Sequence, residues 1–428
     1  MSIARRLGHS LICAAILLLA AIAALGAALG AAGLIASPPL IALAGLVAPT
    51  LVALGGTALA TRSLPTHRRC GLTLTNGALA AALALAITAI LARPLGDAYT
   101  PPEPVAGQAF WDLPTGSHLA YVRVAAVGSA RPEPIVYLHG GPGVSELPEA
   151  TAAFGQLAAA GYDVYLYNQL GVGRSARLAD PTGYAMARDL ADLEASRARL
   201  GADRLILIGH SWGATLAAAY LAAYPERVAR VVFSSPGALA LGEYGTAGTG
   251  IVARLPPARR DAANALLYQP RATAAWALTR INPRAAHAFA GDRELDARFD
   301  RITSAATPGL FCDVATPPLT VTGTGFYASQ VTLADPAPPD PRAALRAVAV
   351  PALVLKAGGD YLPWRFAIAY RDTIPGAALV YLPDAGHQAY LEQPVAYFAA
   401  VRAFLHDQSL PAAPCTGDNP PPDYRGAR

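Results

Sequence analysis

The stretch Arg204-Leu-Ile-Leu-Ile-Gly-His-Ser-Trp-Gly213 decides the fold of this chain. Its last five residues, Gly209-His210-Ser211-Trp212-Gly213, fit the pattern G-x-S-x-G, in which a serine sits on a sharp turn between a strand and a helix. The residues before it form a short apolar run, which is typical of a parallel strand covered on both faces. The alanine-rich run Ala214–Tyr224 favours helix and stops before Pro225. The pattern therefore predicts that Ser211 projects from a strand–turn–helix unit.

The chain of 428 residues is more apolar than an ordinary soluble enzyme, with 54% hydrophobic and 14% charged residues. Three stretches near the N-terminus lack Lys, Arg, Asp and Glu, namely 11–36, 38–61 and 71–92. Each exceeds the ~20 residues that a helix needs to cross a bilayer. A cleaved signal peptide could account for the first stretch, since Arg5 and Arg6 precede it, but not for the others. We therefore predict three transmembrane helices within residues 1–93.

Basic residues flank these stretches on one side of the predicted membrane. Arg5 and Arg6 precede the first span, while Arg62, Arg68 and Arg69 lie between the second and the third. Because basic loops stay in the cytoplasm, three crossings place everything after them outside the cell. We predict a multi-pass cell-membrane protein with the lipid bilayer as a partner. The net charge of +4 gives no reason to expect nucleic acid, and protein partners stay open.

The cysteines say little about function. Cys312 and Cys415 belong to the part predicted to lie outside the cell, where a disulfide between them could form. Two unrelated free thiols are the alternative. No spacing typical of a metal site is present, and the sequence predicts neither a metal nor a cofactor.

The residues after the predicted spans divide into a linker, an interrupted core and a tail. Residues 94–107 read as a stiff Pro-rich linker. Strand and helix patterns then alternate, which predicts an α/β fold with a mostly parallel sheet and helices on both faces. The rhythm breaks at 237–348, which we interpret as a helical cap over the carboxyl edge of the sheet. The core thus comprises 108–236 and 349–407, and an irregular Pro-rich tail occupies 408–428.

Two residues downstream of Ser211 could activate it. A serine hydroxyl is a weak nucleophile that needs a base, and the base needs an acid to orient it. In this architecture the chain order is serine, acid, histidine. His387 follows the last predicted strand and Asp360 follows the strand before it, so we predict that both are catalytic. Asp384 is the rival acid, but its place three residues before the histidine favours a local turn role.

The developing oxyanion needs backbone N–H donors. Trp212, directly after the nucleophile, should supply one of them. The other should come from the loop after the strand 134–138, which reads His139-Gly-Gly-Pro-Gly143. Its glycines allow the backbone to turn amides inward. We predict an oxyanion hole formed by Gly141 and Trp212.

The two glycine-rich segments together resemble the α/β-hydrolase superfamily, and in particular its prolyl-iminopeptidase-like serine peptidases. The resemblance covers about residues 110–405. The stretch Tyr167-Asn-Gln-Leu-Gly-Val-Gly-Arg-Ser175 is similar to the family's D-Q-R-G-x-G-R-S, with departures at Asn168 and Leu170. His210 replaces a glycine common in the strict aminopeptidases, and G-H-S-W-G is shared with esterases. The catalytic machinery is therefore better specified than the substrate.

The resemblance, which excludes the predicted membrane spans, implies a serine hydrolase that works through an acyl-enzyme. Together with the three predicted spans, this gives a membrane-anchored serine hydrolase. A small-molecule or short-peptide substrate is expected, with aminopeptidase activity ahead of carboxylesterase or lipase activity. In the family, acidic residues under the cap capture the substrate's ammonium group; candidates here are Glu243, Asp292, Glu294 and Asp296, none of which is assigned. An inactive membrane-bound binding module is the alternative from another class.

Overall fold

The computed structural model describes residues 3–246, 250–336 and 338–427. Its α-helices are α1 Ile3–Leu34, α2 Pro38–Ala60, α3 Thr66–Leu91, α4 Leu147–Phe154, α5 Met186–Arg199, α6 Trp212–Ala223, α7 Gly250–Ala253, α8 Pro257–Leu267, α9 Pro270–Ile281, α10 Pro283–Phe289, α11 Asp292–Ala306, α12 Phe326–Ala334, α13 Arg342–Leu345, α14 Trp364–Thr373, α15 Ala389–Glu392 and α16 Pro394–Leu405. Its strands are β1 Gln108–Asp112, β2 His118–Val124, β3 Ile135–Leu138, β4 Val164–Tyr167, β5 Leu205–His210, β6 Val228–Ser234, β7 Ala352–Ala357 and β8 Ala378–Leu382.

The chain forms two compact units. The first unit comprises Met1–Gly96 and Tyr268–Glu294, and the second comprises Asp97–Leu267 and Leu295–Arg428. The predicted cap at 237–348 therefore contributes to both units, because α9 and α10 group with the N-terminal helices. The predicted domain boundaries stay a prediction.

The N-terminal part of the first unit consists of three long apolar helices. Gly8–Leu34, Pro38–Ala60 and Thr66–Leu91 are each long and apolar enough to cross a membrane, as the charge-free stretches predict. α1 packs on α2 and α2 packs on α3. The last pair approaches so closely at Gly77 that any side chain there would collide with Leu54. Small residues at the contact are typical of helix pairs packed in a bilayer.

One polar side chain joins all three of these helices. Asn76 in α3 donates from Nδ2 to the Thr57 hydroxyl in α2 at 3.0 Å and to the Cys13 carbonyl in α1 at 3.3 Å. The amide is only 5% exposed. A buried amide needs such partners, since an unsatisfied polar group in an apolar environment is costly.

The second unit is built on an eight-stranded sheet in the order β1-β2-β4-β3-β5-β6-β7-β8. The pairs β1/β2 and β2/β4 are antiparallel, and every other pair is parallel. This mostly parallel sheet with helices confirms the predicted α/β class. The short strand β1 was not predicted, because its residues follow the Pro-rich linker and show no long apolar run.

The buried strands explain how the sheet is covered. Ile206 and Ile208 of β5 belong to a core cluster that also includes Phe154 of α4 and Val401 of α16. Alternate residues point to opposite faces of a strand, so Leu207 lies on the other face. α6 contacts β3, β5 and β6. The layers place the carboxyl ends of β5, β7 and β8, and the loops that follow them, along one edge of the sheet.

Two further features are the cysteines and the C-terminal tail. Cys312 and Cys415 are free thiols in the structure, so the disulfide alternative is not realised there. Described residues 408–427 contain neither helix nor strand. The tail is nevertheless attached: Tyr424 is 6% exposed, and the Cys415 N–H donates to the Leu379 carbonyl of β8 at 2.7 Å.

Candidate active site

Ser211 occupies the sharp turn that the sequence predicts. β5 ends at His210 and α6 begins at Trp212, so Ser211 is the single residue between strand and helix. Its φ of 55° and ψ of −116° lie outside the regions that L-residues ordinarily adopt. A side chain at Gly209 would collide with the backbone of Gly213, and one at Gly213 with the Leu138 carbonyl. The two glycines therefore permit the close strand–helix crossing that lifts the serine out of the sheet.

His387 and Asp360 come together at the ends of two neighbouring strands. His387 Nδ1 lies 2.8 Å from Asp360 Oδ1, and the side chains are 3% and 0% exposed. β7 precedes the acid and β8 precedes the base. The rival Asp384 instead pairs with Arg425 at 2.5 Å and is 74% exposed. The structure therefore gives His387 one buried carboxylate partner, which is Asp360.

Asp360 has a second, cationic partner that the sequence reasoning missed. Lys356 Nζ lies 2.7 Å from Asp360 Oδ2 and also donates to the Leu362 carbonyl at 2.7 Å; both charged side chains are 0% exposed. Burial alone would raise the pKa of Asp360, but Lys356 and His387 outweigh burial and hold it below its ordinary value. A lone lysine within the apolar run of β7, four residues before an aspartate, was the available signal.

The C-terminal tail braces the loop that carries Asp360. The Ala427 N–H donates to the Asp360 carbonyl at 3.1 Å, and the Trp364 N–H donates to the Ala427 carbonyl at 2.9 Å. The N–H groups of Arg425 and Gly426 both donate to the Gly358 carbonyl. The irregular tail thus fixes the backbone on either side of the acid.

The glycine-rich loop after β3 lies directly against the serine. A Cβ atom built on Gly140 would be 3.1 Å from Ser211 Cβ. Gly141 adopts a φ of 115°, a left-handed conformation that glycine adopts without steric cost. Trp212 is the first residue of α6, so its N–H belongs to the positive end of the helix dipole. The structure brings both predicted donor segments to the serine.

Buried ionisable groups lie behind the serine. His210 is 0% exposed, and its ring centroid is 4.7 Å from that of His387. Burial lowers the pKa of His210 to about 4, which keeps its imidazole neutral at pH 7. Its Nε2 is 3.8 Å from Oε1 of Glu146, and that carboxylate accepts from the Tyr137 hydroxyl at 2.7 Å and the Gly140 N–H at 3.3 Å.

A cavity of about 490 Å³ in the second unit gives access to this centre. Ser211, His387 and Gly141 line it. So does the ring of Tyr361, whose centroid is 4.6 Å from that of His387 in an edge-on arrangement. The volume suits a small organic molecule. Most of the remaining walls are apolar, with contributions from Leu147, Ile251, Leu267, Phe299, Ile302, Leu310, Phe311, Leu319 and Val321.

The acidic residues of the cavity are not those expected from the cap. None of the four cap candidates is among the described residues that line it, and each is bound elsewhere. Glu243 pairs with Arg342, Asp292 with His287, Glu294 with Arg271, and Asp296 accepts from the Phe326 N–H. The acidic residues that line the cavity are instead Glu103 of the linker and Glu146 and Glu149, which follow the glycine-rich loop after β3.

Comparisons with known proteins agree with this architecture. Residues 133–394 match the family model described as alpha/beta hydrolase fold. A proline iminopeptidase of Heyndrickxia coagulans is 39% identical over 123 residues, 28% of this chain and 41% of that protein. A proline iminopeptidase of Levilactobacillus brevis is 38% identical over 125 residues, 29% of this chain and 41% of that protein. The chain thus matches only about two-fifths of the length of these curated relatives.

Among solved structures, a proline iminopeptidase of Mycobacterium smegmatis superposes with a TM-score of 0.48 at 21% identity, covering 70% of this chain and 98% of that one. The family model spans more than half of the chain, and the matched residues include Ser211, Asp360 and His387. The chain therefore belongs to the alpha/beta hydrolase fold family.

Proposed function

We propose that the protein is a membrane-anchored serine hydrolase that works through a covalent acyl-enzyme. One observation supports this most strongly. Ser211 lies on a strained turn and lines the same cavity as His387, whose other side is bound to the buried Asp360 at 2.8 Å. A nucleophile, a base and an orienting acid in this arrangement are what acyl transfer requires.

In the first half-reaction, Ser211 Oγ attacks the substrate carbonyl carbon while His387 Nε2 accepts the hydroxyl proton. The carbonyl oxygen becomes an oxyanion that accepts hydrogen bonds from the N–H groups of Gly141 and Trp212. Asp360 accepts from His387 Nδ1–H, which fixes the tautomer and stabilises the imidazolium. The bond to the leaving group then breaks, and His387 returns the proton to the leaving amine or alcohol.

In the second half-reaction, water attacks the acyl carbon of the ester on Ser211. His387 takes a proton from that water, and a second tetrahedral oxyanion forms in the same hole. Collapse expels Ser211 Oγ, which regains its proton from His387. The products are a carboxylic acid and the leaving group released earlier.

For the substrate, we propose a short peptide with a free N-terminus. The partial likeness to proline iminopeptidases supports this class. The cavity also carries carboxylates close to the reacting centre. Glu146 Oε1 would lie 3.2 Å from a Cβ on Gly140, the residue that contacts Ser211. Burial and the nearby Glu146 charge both raise the pKa of Glu149, and a bound ammonium group would relieve this repulsion.

An ester substrate is the second candidate, and the cap acids favour it. All four cap acids that the family resemblance offers as candidates are bound to other groups. Most of the cavity wall is apolar, which suits an uncharged acyl chain. An esterase would need no ammonium ligand.

Matched substrates separate the two candidates. For an aminopeptidase, kcat/KM should be far higher for alanyl or prolyl p-nitroanilide than for the N-acetylated forms, and Glu149→Gln should raise KM about tenfold for the free amines only. Glu226→Gln, which changes an exposed acid outside the cavity, is the control. If the acetylated amides and short p-nitrophenyl esters react as well as the free amines, the peptidase assignment is wrong and the esterase is favoured.

The three apolar helices support the membrane anchor, and the arginine distribution supports an extracytoplasmic catalytic unit. Impermeant thiol labelling of intact cells tests this orientation. Cys70 at the start of α3 should stay unlabelled, whereas Val395→Cys in the second unit, at a position 83% exposed, should be labelled. The opposite pattern would reverse the orientation.

A further inference from the structure

A helical hairpin from the cap region belongs to the same compact unit as the three apolar helices. The hairpin comprises α9 and α10 within Tyr268–Glu294, and we call this segment the cap hairpin. It lies far along the chain from α1–α3, yet α9 contacts both α1 and α3, and α10 contacts α2.

Two hydrogen bonds place the cap hairpin at one end of the apolar helices. Asn282, at the end of α9, donates from Nδ2 to the carbonyl of Ala32 at 2.9 Å. Ala32 lies in the last turn of α1. Arg271 Nη1, at the start of α9, donates to the Leu91 carbonyl at 2.8 Å, the last residue of α3. These carbonyls belong to helix ends and lack intrahelical partners. The hairpin thus satisfies the C-terminal ends of two spans.

The two contacts also fix the direction of α9. A helix of 12 residues is about 18 Å long, and its two ends touch the ends of different spans. α9 therefore runs across the helix ends rather than alongside them. If α1 and α3 cross a bilayer, then α9 lies parallel to its surface.

The side chains of the cap hairpin suit the boundary between lipid and water. Ala272, Ala275 and Thr279 are buried at helical spacing, so one face of α9 packs inward. Tyr268 is 72% exposed and Ile281 is 40% exposed. The segment contains four arginines against two acids (Arg271, Arg280, Arg284 and Arg293; Asp292 and Glu294). Exposed apolar groups together with long basic side chains are characteristic of helices at a membrane interface.

We propose that the cap hairpin is a second membrane-contacting element, with Tyr268 and Ile281 inserted among the phospholipid headgroups on the side where α1 and α3 end. The partner is the bilayer itself, because the spans bring its surface to the hairpin. This inference rests on the membrane anchor of the proposed function. In this arrangement the cap hairpin is held in place at the bilayer surface.

Spin labels on the full chain in nanodiscs of phosphatidylcholine and phosphatidylglycerol test the proposal. The native cysteines (Cys13, Cys70, Cys312 and Cys415) are replaced by alanine, and single labels are placed at Tyr268→Cys and Ile281→Cys. Leu51→Cys, a 63% exposed position in α2, reports the bilayer interior. Val395→Cys, at an 83% exposed position in the second unit, serves as the reference for a water-exposed site. Collision with oxygen against a water-soluble nickel chelate gives the depth of each label.

We expect the Leu51 label deep in the bilayer, the Val395 label in water, and the Tyr268 and Ile281 labels at the boundary between headgroups and acyl chains, about 5–10 Å into the interface. If both hairpin labels match Val395 while Leu51 is deep, the membrane anchor survives and the proposal is wrong. Spin–spin broadening at Ile281 in place of lipid contact would indicate a second copy and also overturn it. If the Leu51 label is in water, α2 does not cross the bilayer. Both the membrane anchor and this inference are then wrong.

Discussion

The candidate active site and the apolar helix bundle contain buried polar groups of different kinds. Around the base, Asp360 and Lys356 are charged, fully buried and joined at 2.7 Å. Across α1–α3, the uncharged amide of Asn76 hydrogen-bonds to both neighbouring helices, and apolar side chains such as Ala20, Ala53 and Ala80 pack together. Buried charges are costly unless paired, whereas one amide contact within a bilayer contributes little. Single substitutions should therefore have large effects in the first region and small effects in the second.

The largest effect is expected at the acid. Asp360→Asn should lower kcat by roughly four orders of magnitude, because the amide cannot hold the His387 tautomer as the carboxylate does. Steady-state hydrolysis of a substrate that the wild type turns over measures this loss. Asp384→Asn, which changes the exposed rival acid, should keep near wild-type activity. Equal losses in the two variants would contradict the assignment.

The next effect is on folding. Lys356→Met should lower the free energy of unfolding by about 3–5 kcal/mol, because Asp360 is left buried without its cation. Denaturant unfolding of the detergent-solubilised chain measures it. The double variant Lys356→Met/Asp360→Asn should regain part of the loss. If the double variant loses the sum of the single losses, the pair is not coupled as the geometry indicates.

A smaller effect depends on pH. The folded-state pKa of His210 is about 4, against an ordinary value of 6.5. The unfolded chain therefore binds more protons between these values, and this group makes stability fall as pH falls through that window. Between pH 7 and pH 5 the wild type should lose about 2 kcal/mol more than His210→Gln. Unfolding curves at the two pH values measure the difference, and parallel losses would argue against a neutral buried imidazole.

The smallest effect is expected in the helix bundle. Asn76→Ala removes the hydrogen bonds to Thr57 and Cys13 and should cost about 1 kcal/mol or less. Leu79→Ala, at a 52% exposed position in the same helix, controls for lost apolar surface. A loss from Asn76→Ala as large as that from Lys356→Met would remove the contrast between the two regions.

Much of the fold could be predicted from local patterns. Buried parallel strands such as β5 and β7 read as short apolar runs bounded by glycine, and the charge-free stretches correspond to α1, α2 and α3. β1 was not predicted, because a short antiparallel edge strand has no continuous apolar run. The grouping of α9 and α10 with α1–α3 was not predicted. It depends on contacts between residues distant in sequence, such as that of Arg271 with Leu91.

The candidate site was predictable to the extent that chain order constrains it. Ser211, Asp360 and His387 each follow a strand, and parallel strands bring such positions to one edge. The side chains that bind the substrate were not predictable in this way. Cap acids such as Glu294 are bound by arginines that lie near them only in the folded protein. Lys356 could have been inferred, because a charge within a buried strand requires a partner.

Covalent labelling of Ser211 tests the central claim most directly. An active-site fluorophosphonate should modify the wild-type protein at Ser211, identified by mass spectrometry of the labelled peptide. Ser211→Ala should not react, and Ser145→Ala, which changes another serine that lines the cavity, should react normally. No labelling of the folded wild type, or equal labelling of Ser211→Ala, would contradict the account.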